Sequence, residues 1–189
     1  MKRLLTIFLM FIMVLSLTAC GGKDAGAGDE AKIADALTLL NTIWDSYGED
    51  EKFSAMGGDF NEENMVDGAP GNYEIQDTAM LDSSLGLPET SASMIDGAAS
   101  LIHMMNANTF TCGAFHVSSS DNLSAVADSL KENILQRQWM CGFPDKLIVI
   151  TVGDYVISAF GNEEIIDTFK SKTMSVYESA KLVYEEPIV

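Results

Sequence analysis

Two cysteines and two histidines in the body of the chain could form a thiol–imidazole catalytic pair or serve as metal ligands. Cys112 and His116 lie four residues apart in TFTCGAFHV, a segment with the composition of a strand. Four residues along a strand separate them by about 13 Å, whereas a nucleophile and its base must come within about 3 Å. The spacing therefore argues against a cysteine–histidine dyad. His103 is the other histidine, and no cysteine or histidine pair has zinc-ligand spacing. We expect both histidines to be partly buried structural residues.

Cys112 and Cys141 make an even number of cysteines once Cys20, discussed below, is set aside. In an oxidising location they could form a disulfide, provided that their Cα atoms come within about 7 Å. The alternative is two buried thiols that pack as small apolar side chains. The sequence leaves both possibilities open.

Carboxylates are frequent between residues 59 and 67, where Asp59, Asn61, Glu63 and Asp67 resemble a calcium-binding loop. The EF-hand pattern fails, because its sixth position would be asparagine instead of glycine and its twelfth would be proline. An irregular calcium site stays as an alternative.

The chain has no GxSxG, HExxH or phosphate-loop motif. We therefore predict no catalytic residue, resident metal or cofactor.

The first 20 residues have the pattern of an export signal. Lys2 and Arg3 precede an almost uninterrupted apolar run, Leu4–Leu17. That length, about 14 residues, suits a signal peptide, whereas a membrane-spanning helix needs about 20. The run ends in Leu17-Thr18-Ala19-Cys20, which resembles the bacterial lipobox. The resemblance implies that the Cys20 thiol receives diacylglycerol and that cleavage makes Cys20 the first residue of a lipoprotein on the extracellular face of the cell membrane. Two or three acyl chains, such as palmitate, give stable anchoring.

The remaining chain divides into a tether and one domain. Residues 1–19 are the predicted signal peptide, residues 20–30 a flexible polar tether after the lipidated cysteine, and residues 31–189 a single domain. Loss of Lys2 and Arg3 leaves 9 basic residues against 28 acidic ones, a net charge of −19. Such a surface disfavours nucleic acid, whose phosphates bind through lysine and arginine. It favours solubility.

The hydrophobic periodicity predicts an α+β domain with a small, mostly antiparallel sheet packed against several helices. In this interpretation Trp44, Met104 and Met105 belong to the core. The predicted elements are a helix at 31–47, a long irregular segment at 49–72, a short helix at 77–85, a helix at 93–106 whose assignment is ambiguous, a strand at 109–117, a helix ending near 139, a hairpin at 146–160 and a last helix after 162.

The hairpin is the clearest of these elements. Residues 146–152 and 155–160 alternate around Gly153-Asp154, a glycine-first two-residue turn. Apolar side chains occupy both faces of the two strands, so both faces of the sheet should be covered by helices.

Residues 125–177 have a recurring pattern: a helix ending at Arg137-Gln138, a break at Phe143-Pro144, a hairpin centred on Gly153-Asp154-Tyr155-Val156, and a closing helix. With the lipobox and the first helix, this resembles a family of Gram-positive lipoproteins built on a domain of unknown function, some members of which are labelled bacteriocin-transport accessory proteins. The resemblance covers most of the mature chain and is most specific in its last third. It carries over no catalytic residue, since none is known in that family.

The sequence thus favours a non-enzymatic lipoprotein that binds a protein or peptide partner at the cell surface. A domain that binds a small molecule or a cation is the first alternative. A hydrolase or redox enzyme is the second.

Overall fold

Two layers of helices enclose an antiparallel sheet in the computed structural model, which describes residues 33–59, 61–140 and 142–189. Residues Ile33–Val189 form one compact unit. The predicted signal peptide, Cys20, the predicted tether and Cys141 lie outside the described residues.

The described residues form an eight-stranded sheet in which every strand pair is antiparallel. The strands are β1 Ala55–Gly57, β2 Val66–Asp67, β3 Gly71–Tyr73, β4 Ile95–His103, β5 Phe110–Val117, β6 Lys146–Val152, β7 Tyr155–Gly161 and β8 Lys181–Pro187. Their spatial order is β2-β1-β4-β5-β7-β6-β8, and β3 pairs with β4 as well. The predicted α+β fold with a mostly antiparallel sheet is therefore confirmed, although the sheet is larger than expected.

Helices cover both faces of the sheet. They are α1 Ala36–Asp45, α2 Thr78–Met80 with its π-helical continuation Leu81–Leu85, α3 Leu123–Leu135 and α4 Glu163–Val176. Short 3₁₀ turns span Glu89–Met94 and Ser120–Asn122. Side chains of α1 and α4 pack on one face, and those of α3 and the π-helical turn on the other.

The predicted hairpin is confirmed in its register and in its faces. Val152 pairs with Tyr155 across the turn, where Gly153 has φ +54°. Ile148 and Ile157 are buried under α1 and α4, while the alternate residues of both strands are buried under α3. Side chains alternate between the two faces of the sheet along each strand, and because both faces are covered, every apolar residue of the hairpin is packed against helices.

Residues 95–103 form strand β4, so the predicted helix at 93–106 is wrong. Residues 98–102 are all buried, because both faces of β4 are covered. A continuous apolar run of this kind satisfies the helical and the strand period alike. Gly97 was the one sign against a helix, since glycine weakens a helix interior by about 1 kcal/mol.

The other differences concern element ends and short strands. Helix α1 begins only at Ala36, because the Asp35 carboxylate accepts a hydrogen bond from the Thr38 N–H at 2.6 Å and caps it there. Helix α3 ends at Leu135, four residues before the predicted end. The segment predicted as irregular contains β1, β2 and β3, and β8 follows the last helix without having been predicted.

Candidate functional site

The predicted cysteine pair is only partly within the described residues. Cys112 is fully buried on β5 beneath α1. Burial raises the pKa of its thiol, so the protonated form dominates at neutral pH. Because Cys141 lies outside the described residues, both possibilities, a disulfide and two buried thiols, stay open.

Both histidines have structural partners. His116 Nδ1 contacts the Asp96 carboxylate across the β4–β5 pair, and its ring lies 4.8 Å from that of Tyr155. His103 Nδ1 accepts hydrogen bonds from the N–H groups of Met105 and Asn106 at 3.3 and 3.4 Å. The structural role expected for the two histidines agrees with these contacts.

The carboxylates of the calcium-like segment do not converge. Asp59 is 5% exposed and accepts hydrogen bonds from Asn64 Nδ2 and the Asn61 N–H at 2.9 Å and from the Glu74 N–H at 3.3 Å. Burial opposes ionisation of Asp59, but these hydrogen bonds outweigh it and hold its pKa below the ordinary value. Within the described residues, no group of three or more His, Cys, Asp or Glu side chains is placed to hold a metal ion.

A cleft of about 480 Å³ lies on the α3 face of the sheet, at the end where β4 turns into β5. Its walls come from the π-helical turn, the β4–β5 loop, the segment that follows α3, and the adjoining ends of β4, β5 and β7. Asn108 Nδ2 donates a 3.0 Å hydrogen bond to the Gly142 carbonyl, which ties the β4–β5 loop to the segment after α3. The lining residues are Asp82, Ser83, Ser84, Ile102, Ala107, Asn108, Thr111, Arg137, Gln138, Trp139, Met140 and Phe160.

Arg137 is the cation of this cleft. Its side chain is 17% exposed, and the guanidinium carbon lies 5.9 Å from the ring centre of Trp139 and 5.8 Å from that of Phe160. Nη2 donates to the main-chain carbonyl of Asp82 and lies 4.0 Å from the Asp82 carboxylate. Burial lowers the pKa of Arg137, and the neighbouring Asp82 charge opposes that shift. The guanidinium nevertheless keeps its charge at neutral pH.

Hydrogen bonds from helix α3 fix the position of Asp82 in the cleft wall. Asn133 of α3 donates from Nδ2 to the Asp82 carboxylate at 2.8 Å and to the Gly86 carbonyl at 3.0 Å. The π-helical turn and α3 are thereby held together beside Arg137. This wall of the cleft is set by side-chain hydrogen bonds as well as by packing.

Apolar side chains are exposed in the cleft wall and in the two segments that continue from it along the chain. Met105 is 80% exposed, Met140 89% and Phe143 73%, and Met104 is also exposed. Met140 lines the cleft. Met104 and Met105 precede the lining residue Ala107 by three and two positions, and Phe143 directly follows Gly142, which is hydrogen-bonded to the lining residue Asn108. The prediction that Met104 and Met105 belong to the core is therefore wrong, because β4 ends at His103 and both follow in the turn. Trp44, predicted as core, is buried.

Sequence reasoning missed this site. From the sequence, Arg137 is predicted only as the end of a helix, Met104 and Met105 are predicted to lie in the core, and Met140 has no predicted role. An available signal was that Arg137 is the single arginine downstream of the predicted signal peptide.

No known protein family, curated protein or solved structure matches the chain. None of the described helices combines the length and the apolar character needed to cross a membrane.

Proposed function

We propose that the protein is a membrane-anchored extracellular lipoprotein, lipidated at Cys20, that binds a protein or peptide partner through the cleft and its exposed apolar rim. This is the role of a transport-accessory or partner-binding protein, without catalysis of its own. The observation that carries the proposal is the exposure of three apolar side chains, here called the rim: Met140 in the cleft wall, and Met105 and Phe143 in the two segments that continue from that wall along the chain.

Exposed apolar side chains of this size are unfavourable in water unless a partner covers them. Full burial of a methionine or phenylalanine side chain is worth about 1.5–3 kcal/mol. Grouped exposed apolar residues commonly mark an interaction surface. Methionine also adapts its shape to irregular partners.

The cleft also lies away from the point where the chain enters the domain. The Ile33 carbonyl accepts a 3.1 Å hydrogen bond from the Tyr155 hydroxyl, at the first residue of β7. Phe160 of the cleft lies near the other end of that strand, about 17 Å away at 3.3 Å per residue. Ile33 and Phe160 of the cleft thus lie near opposite ends of β7.

Mass spectrometry of protein purified from its native host tests the anchor. We expect a mature chain that begins at Cys20 with acyl mass on that residue, and release of a Cys20→Ala variant from the membrane. A chain that starts elsewhere, or an unacylated Cys20, would contradict the extracellular anchoring.

Chemical cross-linking in intact cells, followed by purification, tests the partner surface. We expect a defined partner with the wild type and a loss of at least about tenfold when Met105, Met140 and Phe143 are all replaced by serine. The matched control replaces Leu182 and Val183, exposed apolar residues of β8, by serine. Equal partner recovery from the rim variant and the wild type would refute the proposed surface.

A small-molecule ligand is the second candidate, because a cleft of about 480 Å³ is in the size range of small-ligand sites. Such a ligand would raise the thermal midpoint of the isolated protein. The test of the next subsection separates this candidate from a peptide partner.

A further inference from the structure

The chemistry of the cleft points to a carboxylate on its ligand. A guanidinium has five N–H donors in a planar fork that matches the two oxygens of a carboxylate. Among the described residues, Arg137 makes its hydrogen bond and its ion pair with Asp82 alone. The remaining donors are available in a setting where the charge is shielded from water and a charge-assisted hydrogen bond is strengthened.

The charge balance of the cleft favours a single negative charge on the ligand. Arg137 is paired with Asp82, so the two side chains together contribute little net charge. The mature chain as a whole carries −19. A phosphate dianion would meet strong repulsion there, whereas a monocarboxylate can accept hydrogen bonds from the remaining N–H edge of the guanidinium. The Asp82 carboxylate, which also lines the cleft, can accept a hydrogen bond from an N–H group of the ligand.

The apolar walls indicate what accompanies the carboxylate. Ile102, Ala107 and Phe160 line the cleft beside the indole of Trp139 and the exposed side chain of Met140. These groups bind an apolar side chain attached close to the carboxylate. Met105 and Phe143 are exposed in the segments that hold the lining residue Asn108 and its hydrogen-bond partner Gly142, which suits a ligand longer than one residue.

We infer that the cleft binds the free C-terminus of a peptide or protein whose last residue is apolar, with the terminal carboxylate on Arg137 and the last side chain against Trp139 and Met140. This inference rests on the proposed function, because it names the part of the partner that the cleft recognises. The exposed Gln138 amide, also in the cleft wall, supplies a donor and an acceptor for the peptide main chain.

Fluorescence anisotropy with matched peptides tests the inference on the complete mature chain made soluble by Cys20→Ser. The probes are the tetrapeptide Ala-Ala-Ala-Leu, labelled with fluorescein at its amino end, and the same peptide with an amidated C-terminus. We expect the free acid to bind at least roughly tenfold more tightly than the amide, since a hydrogen bond to a charged group is lost on amidation. Equal affinities, or no binding of either peptide, would overturn the inference.

Two protein variants locate the binding. Arg137→Gln should remove the preference for the free acid, with circular dichroism as the check that the variant is folded. Met140→Ser changes a side chain that is 89% exposed and should weaken both peptides by a similar factor while keeping the preference. A preference that survives Arg137→Gln in a folded protein would contradict the role given to Arg137.

Competition by free leucine distinguishes a peptide C-terminus from a free amino acid as the ligand of the cleft. We expect the tetrapeptide to bind at least roughly tenfold more tightly than leucine, because the amino acid lacks the contacts beyond the terminal residue. If leucine binds as tightly as the tetrapeptide, the ligand is a free amino acid, and the inference of a peptide C-terminus is overturned. Failure of every probe, with cross-linking still dependent on the rim, would overturn this inference and leave the proposed function standing.

Discussion

Lys146 joins three elements of the domain through one ammonium group. Its Nζ lies 2.9 Å from Glu163 of α4, 3.0 Å from Asp167 of the same helix and 3.3 Å from Glu185 of β8. Its side chain is 14% exposed, so solvent screens these contacts less than those of a surface pair. The hydrogen bonds that Lys146 donates to Glu163 and Asp167 raise the pKa of Lys146, while those that Asp167 accepts from Lys146 and Lys170 lower the pKa of Asp167.

Lys146→Met should lower the free energy of unfolding by about 1–2 kcal/mol at pH 7, because three carboxylates lose a shared cation while Lys170 still compensates part of the charge. Urea unfolding measures the loss. Lys181→Met is the matched control, since Lys181 is an exposed β8 residue without an ion pair to the described residues. An equal loss in both variants would show that the network contributes nothing specific.

The pH dependence of that loss follows from the direction of the pKa shifts. Asp167 and Glu185 have lowered pKa values, so their contribution is present above about pH 4 and disappears as pH falls through their folded values. Lys146 has a raised pKa, so its contribution is complete below about pH 10. The difference between wild type and Lys146→Met should therefore be constant from about pH 5 to 9 and shrink below pH 4. A difference that grows on acidification would contradict the network.

At the scale of the elements, the junction of β5, β6 and β7 depends on a glycine. Gly161 pairs with Phe110 on one side and with Lys146 on the other, and has φ +156°. A Cβ at this position would lie 2.2 Å from the Thr109 carbonyl oxygen. Because the contact is with main chain of the neighbouring strand, relief requires the strands to separate.

Gly161→Ala should therefore cost about 3 kcal/mol or more in unfolding free energy. Gly153→Ala is the matched control: Gly153 has φ +54° in the hairpin turn, but nothing lies within 4 Å of the added Cβ. The control should cost only about 1–2 kcal/mol, the penalty for a left-handed alanine. Denaturant titration of both variants decides, and equal losses would show that the steric contact is relieved locally.

The elements differ in how far the sequence predicts them, for a physical reason. β6 and β7 follow a tight turn, so their register is fixed by adjacent residues. β8 lies at the edge of the sheet, most of its residues are exposed and three of its seven are charged, and its pairing has a register shift between Val149 and Ile150 of its partner. Edge strands of that composition give no apolar alternation to detect.

The site was harder to predict than the elements. Asp82, Asn108 and Arg137 lie in three segments that the fold brings together, and no local pattern links them. The prediction for Met105 is wrong because a helix at 93–106 places its side chain on an apolar stripe, whereas β4 ends at His103 and leaves it in the turn. Errors in element type thus became errors in the site.

For the whole molecule, the charge of −19 on the predicted mature chain opposes the compact state through repulsion between carboxylates. Some of these charges are paired, as in the Lys146 network and in the contact of Lys172 with Glu51 at 2.5 Å. Most are not, since 28 acidic residues face 9 basic ones. Salt should therefore stabilise the protein.

Raising sodium chloride from 20 to 500 mM should increase the free energy of unfolding by roughly 1 kcal/mol, a rise of about 2–4 °C in the thermal midpoint, because screening shortens the range of repulsion. Calorimetry measures the shift. A second series with 1 mM calcium chloride, at ionic strength matched with sodium chloride, separates screening from specific cation binding. We expect equal midpoints in the matched solutions, since the carboxylate of Asp59 is already occupied by three hydrogen bonds. A further rise with calcium would require bound calcium on the native state and would favour the cation-binding alternative.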